Sequence, residues 1–333
     1  MENNEIIINL KNQLTSDKKQ NIILLKNELG KYRNQNDVYS YIKKMIFENF
    51  PQDVQDKFGD SINNVFKVSE DKIAKAVDFI KNKDFDNAKL ELNFLVDLMD
   101  VYQDMVECKC LCFDGVVDFI MFVNKTKPNY AIEWTSLNIS YVYYLLGFVA
   151  VEENNLDLAN EYFDKYIEFN PMSTKALFEK AEICKITKNY DNFLDLTEKI
   201  YEKIYSPSNL ARYYRLLAYY YVEQDNFKLA YALNLLSLRF ELNQSALYEL
   251  EYIKMIKKDE ISQVAGDQVF NILDNAKIHP MISEENAKFI NAFVQDKNNT
   301  EKFPNEFDKI LKYIDIFING TKVDDSDKKE TND

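Results

Sequence analysis

Three of the four cysteines alternate in Cys108-Lys109-Cys110-Leu111-Cys112, and the fourth, Cys184, stands apart. A zinc site normally separates paired cysteines by two to four residues and needs a fourth ligand. The remaining candidates, Cys184 and His279, lie far away in sequence. Alternation at every second position instead suits an extended segment that turns small apolar side chains to one face. His279 is the only histidine and sits beside Pro280 in an expected loop, so any Ser-His or Cys-His catalytic arrangement would have to use it. Nothing local supports one. The 6 glycines are isolated, which excludes a phosphate loop and a dinucleotide fingerprint, and 55 acids make carboxylate pairs uninformative. The expectation is no catalytic residue, no metal, no cofactor and no enzymatic activity.

The elements that would carry any other function are helices. Only 6 Gly and 6 Pro occur in 333 residues, too few for the turns of a sheet protein, while 46% of the chain is apolar with 23 Phe and 22 Tyr. The net charge of −14, with nine acids against nine bases in residues 1–60, argues against binding a phosphate backbone; no nucleic-acid partner is expected. The N-terminus lacks the basic flank and apolar run of a signal peptide. The longest apolar run, Tyr141 to Val151, falls well short of the ~20 residues that span a bilayer. Bunched cysteines suit a reducing compartment, so the expected location is the cytoplasm, without membrane association.

Periodicity predicts helices over 17–29, ended by Gly30, and from a cap at Asp37 to Pro51. Ser69-Glu70-Asp71 has the composition of a helix start, followed by helices over 70–82 and 86–99. Residues 100–112 are ambiguous, Asp114 caps a short helix over 115–123, and Lys125 to Thr135 reads as irregular. Helices are expected at 245–257 and 263–276, from a cap at Ser283, and along the stripe Phe307, Ile310, Leu311, Ile314, Phe317 and Ile318. The expected organisation is an N-terminal helical bundle or cap (1–66), a helical hairpin plus irregular segment (67–135), a repeat array (136–243), C-terminal helices (244–320) and a disordered tail (321–333).

Within 136–243, aligning Gly147, Ala181 and Ala218 gives repeat starts at 140, 174 and 211. The first repeat places Tyr143, Leu146 and Gly147 on one helix and Ala159, Phe163 and Pro171 on and after the next. The third keeps Tyr214, Leu217, Ala218, Tyr221, Phe227 and Ala230 but has Asn234 where an aromatic is usual. The second is degenerate, with Lys180 and Phe193 in place of leucine and alanine. These residues resemble the tetratricopeptide (TPR) repeat family, and the layout resembles bacterial TPR proteins of uncharacterised role with extra helices on both flanks. Residues 72–98 look TPR-like through Phe85 and Ala88. The fold expected is therefore all-α, a TPR-like solenoid of helical hairpins with flanking helices.

The resemblance implies that the first helix of each hairpin lines a concave face. Carried onto this chain, that face holds Tyr141, Tyr144, Phe148 and Val151; Lys175, Phe178, Glu182 and Lys185; and Arg212, Arg215, Tyr219 and Val222. Four cations and five aromatics suit an acidic peptide segment or a C-terminal carboxylate. Two competing pictures are that the chain's own terminal helices fill the groove, or that the cations merely pair with acids. The resemblance implies a non-enzymatic protein- or peptide-binding adaptor; the alternative is a peptide-responsive regulator with the N-terminal bundle as effector.

Overall fold

A computed structural model describes residues 2–262 and 264–321. The chain divides into two compact units, one made of residues 1–114 and 122–171 and the other of residues 115–121 and 172–333. The division at 171/172 falls inside the stretch expected to form one repeat array.

In the first unit, α1 (Glu2–Gln13), α2 (Lys18–Leu29) and α3 (Asn36–Glu48) enclose Leu10, Leu25, Leu29, Val38, Ile42, Met45 and Ile46. Helix α4 (Gln52–Asn63) leads to α5 (Val65–Lys81) and α6 (Phe85–Met105), which fold back on one another. After them come β1 (Lys109–Leu111), α7 (Val116–Thr126), which straddles the division, and β2 (Ile132–Trp134), parallel to β1. The hairpin of α8 (Ile139–Glu152) and α9 (Leu156–Phe169) follows, with α8 also against α6.

The second unit continues with α10 (Lys175–Thr187) and α11 (Tyr190–Tyr201), then α12 (Pro207–Glu223) and α13 (Phe227–Phe240). Helix α14 (Gln244–Ile261), kinked at Lys257, packs on α13, as does α15 (Asp267–Asn275). Helices α16 (Glu284–Gln295), α17 (Lys297–Lys302) and α18 (Pro304–Asn319) close the described chain. Asn286, fully buried, donates from Nδ2 to the carbonyls of Glu202 (3.0 Å) and Ile204 (2.9 Å), and so ties α16 to the end of α11. Tyr214 donates to the His279 carbonyl at 2.8 Å, anchoring the α15–α16 connection on α12. Consecutive helices thus pack in pairs, as in a helical repeat. No helix among the described residues is long and apolar enough to cross a membrane.

Several local expectations are overturned. Ser69 does not start a helix: it lies buried in the second turn of α5, where its hydroxyl donates back to the Phe66 carbonyl at 2.7 Å. A serine that satisfies itself on its own helix looks like a cap in sequence but is none. Helix α5 consequently crosses the boundary expected at 66/67. Asp37 is in the first turn of α3 and does not cap it; Gln35 holds the cap position. Gly30 does end α2, at its C-cap, but in a right-handed conformation that opens a 3-10 turn. Residues 100–105 continue α6, and the segments read as ambiguous and irregular pair as β1 and β2. The short helix α17 had no sequence signal. The tail from 322 lies outside the described residues.

Four hairpins reverse through the same turn. Lys83, Asn154, Lys188 and Asp225 adopt left-handed φ values of 58°, 58°, 55° and 56°. The next residue in each case, Asp84, Asn155, Asn189 or Asn226, sends its backbone N–H back to a carbonyl five residues earlier, at 2.9, 2.8, 3.0 and 2.8 Å. Its side chain then accepts from the amide three residues later, capping the second helix. One dipeptide therefore satisfies groups orphaned at the end of one helix and the start of the next. Four residues beyond each cap, Ala88, Ala159, Phe193 and Ala230 are completely buried.

At the α8–α9 crossing, a Cβ added to Gly147 would lie 2.5 Å from the Phe163 ring, whose side chain is itself fully buried and cannot step aside. The small residue is a steric requirement of the hairpin. Gly147→Ala is expected to destabilise the protein by about 1–3 kcal/mol through overpacking, against the ~1 kcal/mol that alanine gains in helix propensity. Lys188→Gly should act oppositely. Relief of a left-handed side chain costing about 1–2 kcal/mol, less the roughly 0.5–1 kcal/mol of glycine's extra chain entropy, predicts a small net gain. Chemical denaturation of the two variants measures both signs.

Candidate functional site

The second unit holds a cavity of about 370 Å³ lined by Lys185, Arg212, Arg215 and Tyr219, with Asn234, Asn243, Ser245 and Glu249 among the other walls. Its construction follows from the hairpins. Arg212, Arg215 and Tyr219 recur at three and four residues along α12 and so share one stripe, and Lys185 belongs to the last turn of α10. Asn243 caps α14 by accepting from the Ala246 amide at 3.2 Å, which places the first turn of that helix at the rim.

Each cation is already held by an acid. Arg212 Nη2 meets Glu179 at 3.1 Å, Arg215 Nη2 meets Glu241 at 2.8 Å, and Lys185 meets Glu182 at 2.7 Å. Two of the cations also lie over rings: Lys185 Nζ stands 4.3 Å from the Tyr219 centroid and the Arg212 guanidinium 4.3 Å from that of Phe178. Such contacts fix long side chains that would otherwise lose entropy on binding. Arg215 differs from the others in one respect. Its Nη1 is buried and has no hydrogen-bond partner.

Phe178 was expected on the open face. It is 1% exposed and forms the floor beneath Arg212 instead, since its position on α10 turns into the hairpin core. Lys175, at the start of α10, is exposed, and it does not line the cavity. The aromatic residues of α8 belong to the first unit. Tyr141 and Phe148 are exposed at 38% and 40%, and the Tyr141 and Tyr144 rings stack 6.2 Å apart. Tyr144 also packs on Phe163 and Tyr166, which leaves it half-buried.

Sequence reasoning missed the α14 contribution. Asn243 before an apolar-periodic run is a readable cap, but nothing in sequence says that this helix end borders the cations. Asn234 was visible as a departure from the repeat. It is buried, with its amide donating to the Ala230 carbonyl at 3.2 Å, and the missing aromatic ring leaves room at the cavity wall. Among the described residues, no group of three or more His, Cys, Asp or Glu is placed to hold a metal. His279 is exposed in the connection before α16, its ring stacked on Tyr201 at 5.9 Å.

No protein-family model matches the chain, and no curated protein matches it in sequence. The site is therefore read from its own geometry.

Glu249 at the cavity wall is held above its usual value of 4.5 by burial, which outweighs the opposing pull of Lys185. A carboxyl whose folded pKa is raised binds more protons folded than unfolded, so stability falls as pH rises from 4.5 through the folded value and stays lower above it. Glu249→Gln is expected to raise the melting temperature at neutral pH, with the gain vanishing below pH 4.5. Thermal melts of both proteins across that range check the sign.

Proposed function

We propose that this chain is a non-enzymatic adaptor of the TPR type that binds a partner protein by capturing a carboxylate of a peptide segment in the cavity of the second unit. The observation that carries this reading is the buried Arg215 Nη1. A guanidinium N–H removed from water without an acceptor costs roughly 1–3 kcal/mol. A carboxylate entering the cavity would supply that acceptor once the Arg215 guanidinium turns its Nη1 towards it, and Lys185 and Arg212, which line the same cavity, would add charge.

The pairing of each cation with Glu179, Glu182 or Glu241 fits this role as well as it fits neutralisation. The acids hold the donors in place before a ligand arrives, while the remaining negative charge of the chain discourages indiscriminate capture of anions. Support for the TPR assignment comes from the 34- and 37-residue spacing of the repeat starts, the shared turn chemistry, and the steric need for a small residue at Gly147. The partner class that follows is a protein or peptide presenting an acidic or free C-terminal group.

A panel of short peptides, each with a free or an amidated C-terminus, tests the reading by fluorescence anisotropy. Amidation should weaken the binders by about tenfold or more, and Arg215→Gln should erase the difference between the two ends. Equal binding of both ends, or an Arg215→Gln protein that still discriminates, would contradict it.

A further inference from the structure

In the first unit, β1 and β2 pair so that Cys110 stands opposite Glu133. Cys108, two residues earlier, lies towards the same carboxylate and donates from Sγ to Glu133 Oε2 at 3.4 Å. The side chain of Gln103 on α6 clamps the intervening backbone. Its Nε2 donates to the Cys108 carbonyl at 2.9 Å, and its Oε1 accepts from the Cys110 amide at 3.3 Å. The two sulfur atoms are thereby presented side by side, and their exposure is unequal. Cys108 is partly open to solvent, whereas Cys110 is 1% exposed.

The Glu133 carboxylate also accepts from the Tyr102 hydroxyl, which in turn accepts from Lys43 Nζ at 2.9 Å. A chain of polar groups thus runs from a cation to the thiol pair. The other two cysteines have no such surroundings: Cys112 and Cys184 are each buried and separate. Nothing in the peptide-binding reading uses the Cys108 cluster.

We propose that Cys108 and Cys110 form a redox-active dithiol, in which Cys108 exchanges with a small-molecule disulfide and Cys110 resolves the product. The Cys108 thiol gives its proton to Glu133 or to water, and the thiolate attacks one sulfur of the disulfide. A mixed disulfide forms at Cys108 and one thiolate leaves. Cys110 then loses its proton and attacks the Cys108 sulfur, which closes the Cys108–Cys110 bond and expels the second thiolate. The two protons end on the two released thiols, so two cysteine thiols are oxidised and one external disulfide is reduced.

The electrostatics run the same way. The Cys110 thiol, hydrogen-bonded to the Cys108 sulfur, lowers Cys108 below the usual thiol range against burial and Glu133, while the same contact and burial push Cys110 up. The accessible sulfur is the nucleophile and the sheltered one the resolver, the division of labour that exchange requires.

Intact-mass spectrometry of the full chain with oxidised glutathione tests this. The wild type should lose two hydrogens without retaining an adduct, and peptide mapping should link Cys108 to Cys110. Cys110→Ser should hold one glutathione at Cys108, and Cys108→Ser should react about tenfold more slowly or less, because the thiols left are buried and harder to ionise. Phenylarsine oxide on the wild type guards against a misfolded variant, since one equivalent should remove two titratable thiols. A stable wild-type adduct at Cys108, equal labelling of Cys112 or Cys184, no reaction at all, or an unchanged thiol count with the arsenical would each overturn the proposal.

Discussion

A helix that must reverse within three residues strands carbonyls at one end and amides at the other, and each of these groups needs a partner. This chain meets that constraint the same way four times. A left-handed residue closes the first helix, and an Asp or Asn immediately after it serves both ends through its backbone N–H and its side chain. The turn sets where the second helix begins, and so which residues face back. Ala88, Ala159, Phe193 and Ala230 are buried because the turn places them there. At α8–α9 the approach is close enough that Gly147 has no room for a methyl group beside Phe163.

The same geometry accounts for the cations. A chain of net charge −14 would be expected to keep Lys and Arg dispersed among its acids, and the hairpins instead bring Lys185, Arg212 and Arg215 to one cavity wall. Each is steadied by an acid, two by an aromatic face. Their charge is therefore tempered while their geometry is fixed, and the Nη1 of Arg215 is buried without an acceptor. The peptide-capture reading rests on that asymmetry more than on net positive charge.

Much of the helical layout was legible because helices announce themselves locally. Apolar spacing and a cap such as Ser283, whose side chain accepts from the Asn286 amide, are read within a few residues. What failed was what depends on distant partners. Ser69 looked like a cap until its hydroxyl was seen to bond within its own helix. The parallel pairing of β1 with β2 joins residues more than twenty apart through a helix, and no short-range pattern signals it. The alternating cysteines did suggest an extended segment, but Glu133 and Lys43 come from β2 and α3, far from residue 108 in sequence, and nothing local marks Tyr102 and Gln103 on α6 as their neighbours. At the candidate site, repeat phase located Lys185, Arg212, Arg215 and Tyr219 on one wall, yet misjudged Phe178, because phase gives direction and says nothing of depth.

Hydrogen–deuterium exchange resolved to single amides tests the turn chemistry most directly. The amides of Asp84, Asn155, Asn189 and Asn226 sit in loops by position, but each bonds to a carbonyl of the preceding helix. They should exchange as slowly as the helices they join, far more slowly than the residue just before each of them in an unstructured loop would. Exchange at loop rates at these four amides, with the flanking helices protected, would contradict the account.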